Sequence, residues 1–146
     1  MRRLCAILGV SVLLATAGCG DGEPPLERDL LDSWLQAYGA AWEGRDGTAA
    51  AALFTMDALY QETPHMEPMR GRTAIAGYWA TVTADQSDIE FDFTILAVTE
   101  RTGIAQWSAR FRSISGNVPV ELNGVFVLEF APDGLVESLR EWWHVR

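Results

Sequence analysis

The sequence predicts an α+β domain: a curved, mixed and largely antiparallel sheet wrapped around three N-terminal helices. Three observations carry this. Helical periodicity is confined to the first half of the chain, one strand interrupts it early, and the second half alternates in long hairpins. With 146 residues and 49% apolar content, the chain is long enough to bury one core.

The first long helix is expected over Leu26–Glu43, where Leu30, Leu31, Trp34, Leu35, Tyr38 and Trp42 recur at helical spacing. Trp34, Tyr38 and Trp42 form an aromatic stripe at i, i+4 and i+8. A buried tyrosine hydroxyl needs a partner, so Tyr38 is the member of that stripe to follow. Gly44-Arg45-Asp46 breaks the helix. A short second helix is expected over Thr48–Phe54, with Asp46 and Thr48 as its caps and Met56-Asp57 as a turn after it. In the strand that follows, Ala58, Tyr60 and Glu62 share one face. Pro64 and Pro68 end that strand, and a third helix is expected over Arg72–Ala84, with Thr73 as a helper at its start. The polar run Asp85-Gln86-Ser87-Asp88 closes it.

The remainder reads as strands. Ile89, Phe91, Phe93 and Ile95 alternate with polar residues, as do Ala105, Trp107, Ala109 and Phe111 in the next segment. Turns are expected at Arg101-Thr102-Gly103, at Gly116-Asn117 and at Pro132-Asp133-Gly134. In the last strand Leu139, Glu141 and Trp143 share one face, and Arg140, Trp142 and His144 share the other.

Two basic residues, Arg2 and Arg3, precede an apolar run from Leu4 to Ala17 and small residues before Cys19. This is the pattern of a secretory signal, too short for a comfortable membrane span of ~20 residues. Its Ala15-Thr16-Ala17-Gly18-Cys19 ending resembles a bacterial lipobox, which implies lipidation at Cys19. The expected organisation is a signal peptide at 1–18, an attachment cysteine and linker at 19–25, and the folded domain at 26–146. The expected location is the bacterial cell envelope, with the membrane reached only through the lipid.

Composition narrows the function classes. The formal charge is −9, every basic residue is arginine, and loss of Arg2 and Arg3 leaves the remainder more acidic still. Such a surface is repelled by phosphate backbones, so nucleic acid is not an expected partner. Cys5 lies within the signal, leaving Cys19 without an intrachain disulfide partner. His65 and His144 stand far apart with no cysteine cluster, so no metal site is expected. No Gly-rich phosphate loop is present and no cofactor is expected.

Within this frame, Glu62 is the best-placed candidate for acid–base chemistry. Beside Tyr60 in an aromatic cavity, desolvation would favour its neutral form. The alternative is a solvated glutamate or one paired with Arg70 or Arg72. Glu141, sharing a face with Trp143, is its candidate partner in dividing acid and base roles; the alternative is an exposed Glu141 or one paired with Arg110 or Arg140 across the sheet. Tyr38 is expected to orient a substrate carbonyl or to bind Glu62. Trp42, Tyr60, Trp79, Trp107, Phe111, Phe126 and Trp143 are the expected lining of a pocket for a flat apolar ligand, plain core being the alternative for any one of them.

Gly44-Arg45-Asp46, Ala52-Leu53-Phe54, Asp57-Ala58, Glu67-Pro68, Gly71 with Ile75 and Tyr78-Trp79, and Asp133-Gly134 occur in this order at family-like spacing. In these residues, and in its order of elements over about residues 28–145, the chain resembles the nuclear transport factor 2-like (SnoaL-like) superfamily. The resemblance implies a cone of sheet closed by helices around an apolar cavity. It implies no single function, because the superfamily includes isomerases, cyclases, dehydratases, epoxide hydrolases and ligand binders. Against the ketosteroid isomerase branch, Tyr38 falls where those enzymes keep a tyrosine that donates to the developing oxyanion. Glu62 falls at their proton-shuttling aspartate. Their second oxyanion donor, a protonated aspartate, falls near Phe126, whose ring donates nothing.

Three functions follow as expectations. The first is an exported, lipid-anchored domain binding a small apolar molecule. The second is an isomerase, cyclase or dehydratase using Glu62 as proton shuttle and Tyr38 as carbonyl donor. The third is an interaction module whose outer sheet face, with Arg110, Arg112, Arg140 and Trp142, forms a homodimer or meets another envelope protein.

Overall fold

The computed structural model describes residues 25–146. The signal, Cys19 and most of the linker therefore lie outside the described residues. Three helices and six strands follow in the order α1 (Arg28–Glu43), α2 (Gly47–Ala52), β1 (Phe54–Gln61), β2 (Met69–Arg70), α3 (Gly71–Thr83), β3 (Gln86–Thr99), β4 (Thr102–Ser113), β5 (Val118–Phe130) and β6 (Val136–Val145). They form one curved sheet in the order β2-β1-β6-β5-β4-β3. Among the described residues only β1 and β6 run parallel; every other pair is antiparallel. This is the expected α+β architecture.

The local departures have physical causes. Leu26 is tied to the turn between β3 and β4, its N–H bonding the Glu100 carbonyl, and α1 starts at Arg28. Asp46 does cap α2: its Oδ1 accepts from the Ala49 N–H at 2.9 Å. The helix ends at Ala52, however, and Phe54 already belongs to β1. Met56-Asp57 is not a turn but part of that strand. The pairing with β6 slips between Phe54 and Leu59, and the slip exposes Met56 and Asp57 without ending the strand. No side chain caps α3, so Thr73 has no such role; Arg70 in extended conformation precedes it. The β3–β4 turn sits at Glu100-Arg101, just ahead of the expected Arg101-Thr102-Gly103. Gly134 takes φ 83° in the β5–β6 turn, a conformation that a β-carbon disfavours.

Alternation places Ala105, Trp107 and Ala109 of β4, Phe126 and Leu128 of β5, and Leu139 and Glu141 of β6 on the buried concave side. The helices cover this side. At the closed end of the cone, Trp34 meets Phe54 at 5.6 Å and Phe130 at 6.1 Å between ring centroids, and its indole N–H donates to the Leu53 carbonyl at 3.0 Å. Toward the other end the same concave surface opens into a cavity.

Candidate functional site

The cavity has a volume of about 310 Å³. α1 contributes Tyr38 and Trp42, one turn apart; β1 and the residue after it contribute Tyr60 and Glu62; β6 contributes Glu141 and Trp143. Of the seven expected lining aromatics, six border it: Trp42, Tyr60, Trp79, Trp107, Phe111 and Trp143. Phe126 does not. It is fully buried, stacked on Trp107 at 5.1 Å and edge-on to Tyr38 at 5.4 Å, so these two rings separate it from the open space. It forms the floor beneath the wall.

Trp107 lies where it does because its cross-strand partner is Gly124. A β-carbon there would stand 2.8 Å from the indole and 2.5 Å from the Trp142 carbonyl oxygen. Only the bare glycine lets the ring lie against β5.

The polar groups form a chain. The hydroxyls of Tyr38 and Tyr60 are 2.9 Å apart, and Tyr60 donates to Glu141 Oε1 at 2.8 Å. Tyr38 thus bonds Tyr60, not Glu62. Glu141 pairs with neither Arg110 nor Arg140: it is 5% exposed, and Arg110 instead meets Glu121 at 3.3 Å. Burial pushes the Glu141 carboxyl up to about 8, the Glu62 charge adding to the rise while the Tyr60 hydrogen bond opposes it. At neutral pH Glu141 is therefore mostly a protonated acid. Burial also moves the Tyr38 and Tyr60 hydroxyls well above the usual phenol range, reinforced by the nearby Glu141 carboxyl, so both stay protonated donors.

Two polar lining residues, Tyr78 and Gln86, are absent from the expected set. Tyr78 of α3 faces the two acids; burial, then the Glu141 and Glu62 charges, hold its hydroxyl protonated. It stands beside Trp79, itself an expected lining residue, and its hydroxyl was the available signal. Gln86 was hidden in a polar run that looked like a helix terminator. It is 5% exposed and accepts from the Trp42 indole N–H at 2.8 Å.

Other candidates lie elsewhere. His144 and Trp142 project from the outer sheet face, Trp142 being 45% exposed, and Arg112 bonds Asn117 there. His65 is exposed in the loop after β1 and does not border the cavity.

An open-ended cone of sheet around helices, with two acids and three tyrosines in an aromatic cavity, is the architecture expected of a nuclear transport factor 2-like cone. Residues 35–139 match the model of the SnoaL-like domain, and the chain belongs to that family. It is 28% identical over 106 residues to a steroid Δ-isomerase of Nocardioides simplex, covering 73% of this chain and 83% of that protein. SalBIII, an epoxide hydrolase/cyclase-like enzyme of pyran ring formation in the polyether salinomycin, superposes with a TM-score of 0.66 at 18% identity, over 80% of this chain and 88% of that one. A Catenulispora acidiphila protein with a ketosteroid isomerase-like fold, solved with trimethylamine, gives 0.67 at 19% identity, over 75% and 83%. At these identities the structural matches speak for the fold alone.

Proposed function

We propose that this is an exported, lipid-anchored SnoaL-like domain, held in the bacterial envelope through Cys19, whose cavity binds a small apolar carbonyl compound and moves a proton on it. One observation carries the reading: a protonated acid, Glu141, is wired through Tyr60 to Tyr38 in the same cavity as a second carboxyl, Glu62. The kinship with a steroid Δ-isomerase supports the same chemistry.

The hydroxyl chain can run in either direction. With Glu141 ionised, Tyr60 donates to it, Tyr38 donates to Tyr60, and the Tyr38 proton is occupied. With Glu141 protonated, the acid donates to Tyr60, Tyr60 to Tyr38, and the Tyr38 hydroxyl hydrogen is released to the cavity. In the reaction Glu62 takes a proton from carbon next to the carbonyl. The electron pair moves onto the carbonyl oxygen, where Tyr38 donates a hydrogen bond. The proton then returns from Glu62 to a second carbon, and the double bond shifts with no net gain or loss of atoms.

The test is conversion of small β,γ-unsaturated ketones to their conjugated isomers, followed by ultraviolet absorbance. Glu62→Gln is expected to lower turnover by about 10²–10⁴-fold while ketone binding persists. Turnover unchanged in that variant would overturn the proton-transfer step. A binder without turnover is the second reading. It is favoured by Phe126, which stands near the second oxyanion donor of the isomerases and cannot donate; it predicts ligand retention with no product in the wild type.

A further inference from the structure

The amide of Gln86 has one end tied down. Its Oε1 accepts from the indole N–H of Trp42, and an indole nitrogen only donates, so the orientation of the amide is fixed: oxygen toward Trp42, nitrogen away. The residue is held from three further sides. Its backbone carbonyl accepts from Arg45 Nη1 at 3.3 Å. Asp85, immediately before it, is fastened to the end of β4 by the Ser113 hydroxyl at 2.7 Å and the Ser115 N–H at 2.7 Å. α3 ends just ahead of it at Thr83, whose hydroxyl bonds back to the Trp79 carbonyl.

The amide nitrogen of Gln86 makes no hydrogen bond among the described residues. It is not sealed off either. Among the described residues the fully enclosed side-chain polar atoms without a partner are the indole nitrogens of Trp79 and Trp107, and Gln86 Nε2 is not one of them. Gln86 lines the cavity, and this unpaired nitrogen is the end of its amide turned away from Trp42. A buried amide held by one end and presenting two N–H donors to an aromatic cavity is a preorganised hydrogen-bond donor.

We infer that Gln86 contacts the ligand, its side-chain amide donating to the same carbonyl oxygen that Tyr38 addresses, with Trp42 as the positioning residue. Gln86 thereby supplies from the start of β3 the second donor that Phe126 cannot supply from β5. This rests on the reading of the cavity as a carbonyl site, but it concerns binding and is separable from turnover. It also gives a specificity rule: the cavity favours a compound with an acceptor oxygen over its hydrocarbon counterpart, because only the former satisfies the amide.

The experiment compares 1-tetralone with tetralin, which has the same rings and no oxygen, on the full-length chain. Affinities come from tryptophan fluorescence, and the carbonyl stretch of bound tetralone from infrared difference spectra. Gln86→Leu is expected to weaken tetralone about 3- to 10-fold, leave tetralin unchanged, and shift the carbonyl stretch to higher frequency. Trp42→Phe, which keeps the amide but frees it to turn, is expected to reproduce part of the frequency shift and serves if the leucine variant does not fold. Unchanged tetralone affinity and frequency in both variants would overturn the role of Gln86 and leave the acid–base reading standing. Equal weakening of tetralone and tetralin would overturn it too, as a shape effect. Failure of wild type to bind tetralone would overturn both readings. Loss of the Glu62→Gln turnover effect alone would leave the Gln86 inference untouched.

Discussion

The two ends of the cone are built from the same kinds of ring and behave differently. At the closed end Trp34, Phe54 and Phe130 interlock with Leu128, Leu139 and Val136, and the one polar atom, the Trp34 indole nitrogen, is satisfied by a backbone carbonyl. At the open end Trp42, Trp79 and Trp107 pack as closely, with centroids 5.1 and 5.7 Å from Trp42. Their neighbours there are two acids, three tyrosines and an amide. Aromatic density therefore does not separate a core from a site. The polar atoms placed among the rings do: at the open end the Tyr38 and Tyr60 hydroxyls bond each other and Glu141, Trp42 bonds Gln86, and the Trp79 and Trp107 indole nitrogens have no partner among the described residues.

That contrast can be broken most forcefully through Glu141. Its folded pKa, about 8, lies above the ordinary 4.5, so the fold binds this proton more tightly than the unfolded chain does. The contribution to stability is complete below the ordinary value, declines as pH rises, and is gone above about 8. The span corresponds to up to about 5 kcal/mol. Urea unfolding across that window should show the decline in wild type and a much flatter profile in Glu141→Gln. A wild-type profile as flat as the variant's would mean the acid is not desolvated.

Truncating the closed end tests the other half of the comparison. Phe130→Ala should cost about 3–5 kcal/mol with no change in the pH profile, read from the same denaturation series. The smallest effect is expected from Tyr60→Phe, which leaves the ring in place and cuts the hydroxyl chain. It should cost about 1–3 kcal/mol. It should also move the pH-dependent decline upward, because the Tyr60 hydrogen bond lowers the Glu141 pKa. A downward move would show that Tyr60 favours the neutral acid.

Much of this architecture is legible in the chain. The alternation through Trp107, the Pro132-Asp133-Gly134 turn and the spacing of Trp34, Tyr38 and Trp42 are local patterns, and each appears in the structure as a strand face, a hairpin or a helix stripe. The slip at Met56-Asp57 was not legible, since a pairing irregularity belongs to two strands and only one was in view. Nor could alternation separate Phe126 from Trp107: both face inward, and only their stacking decides which one meets open space. Gln86 was hidden for the converse reason. Its burial comes from Trp42, 44 residues earlier, and no neighbour in sequence announces it.

The single parallel pairing, β1 with β6, has a consequence for how the molecule is made. Tyr60 and Glu141 are 81 residues apart, and their strands become neighbours only when the last strand docks. On a ribosome the tyrosine emerges long before the acid it bonds. Until β6 docks, Tyr60 has no acid to bond, and bringing the two strands together closes a long loop at an entropic cost. Assembly of the cavity is thereby tied to the docking of β6 beside β1.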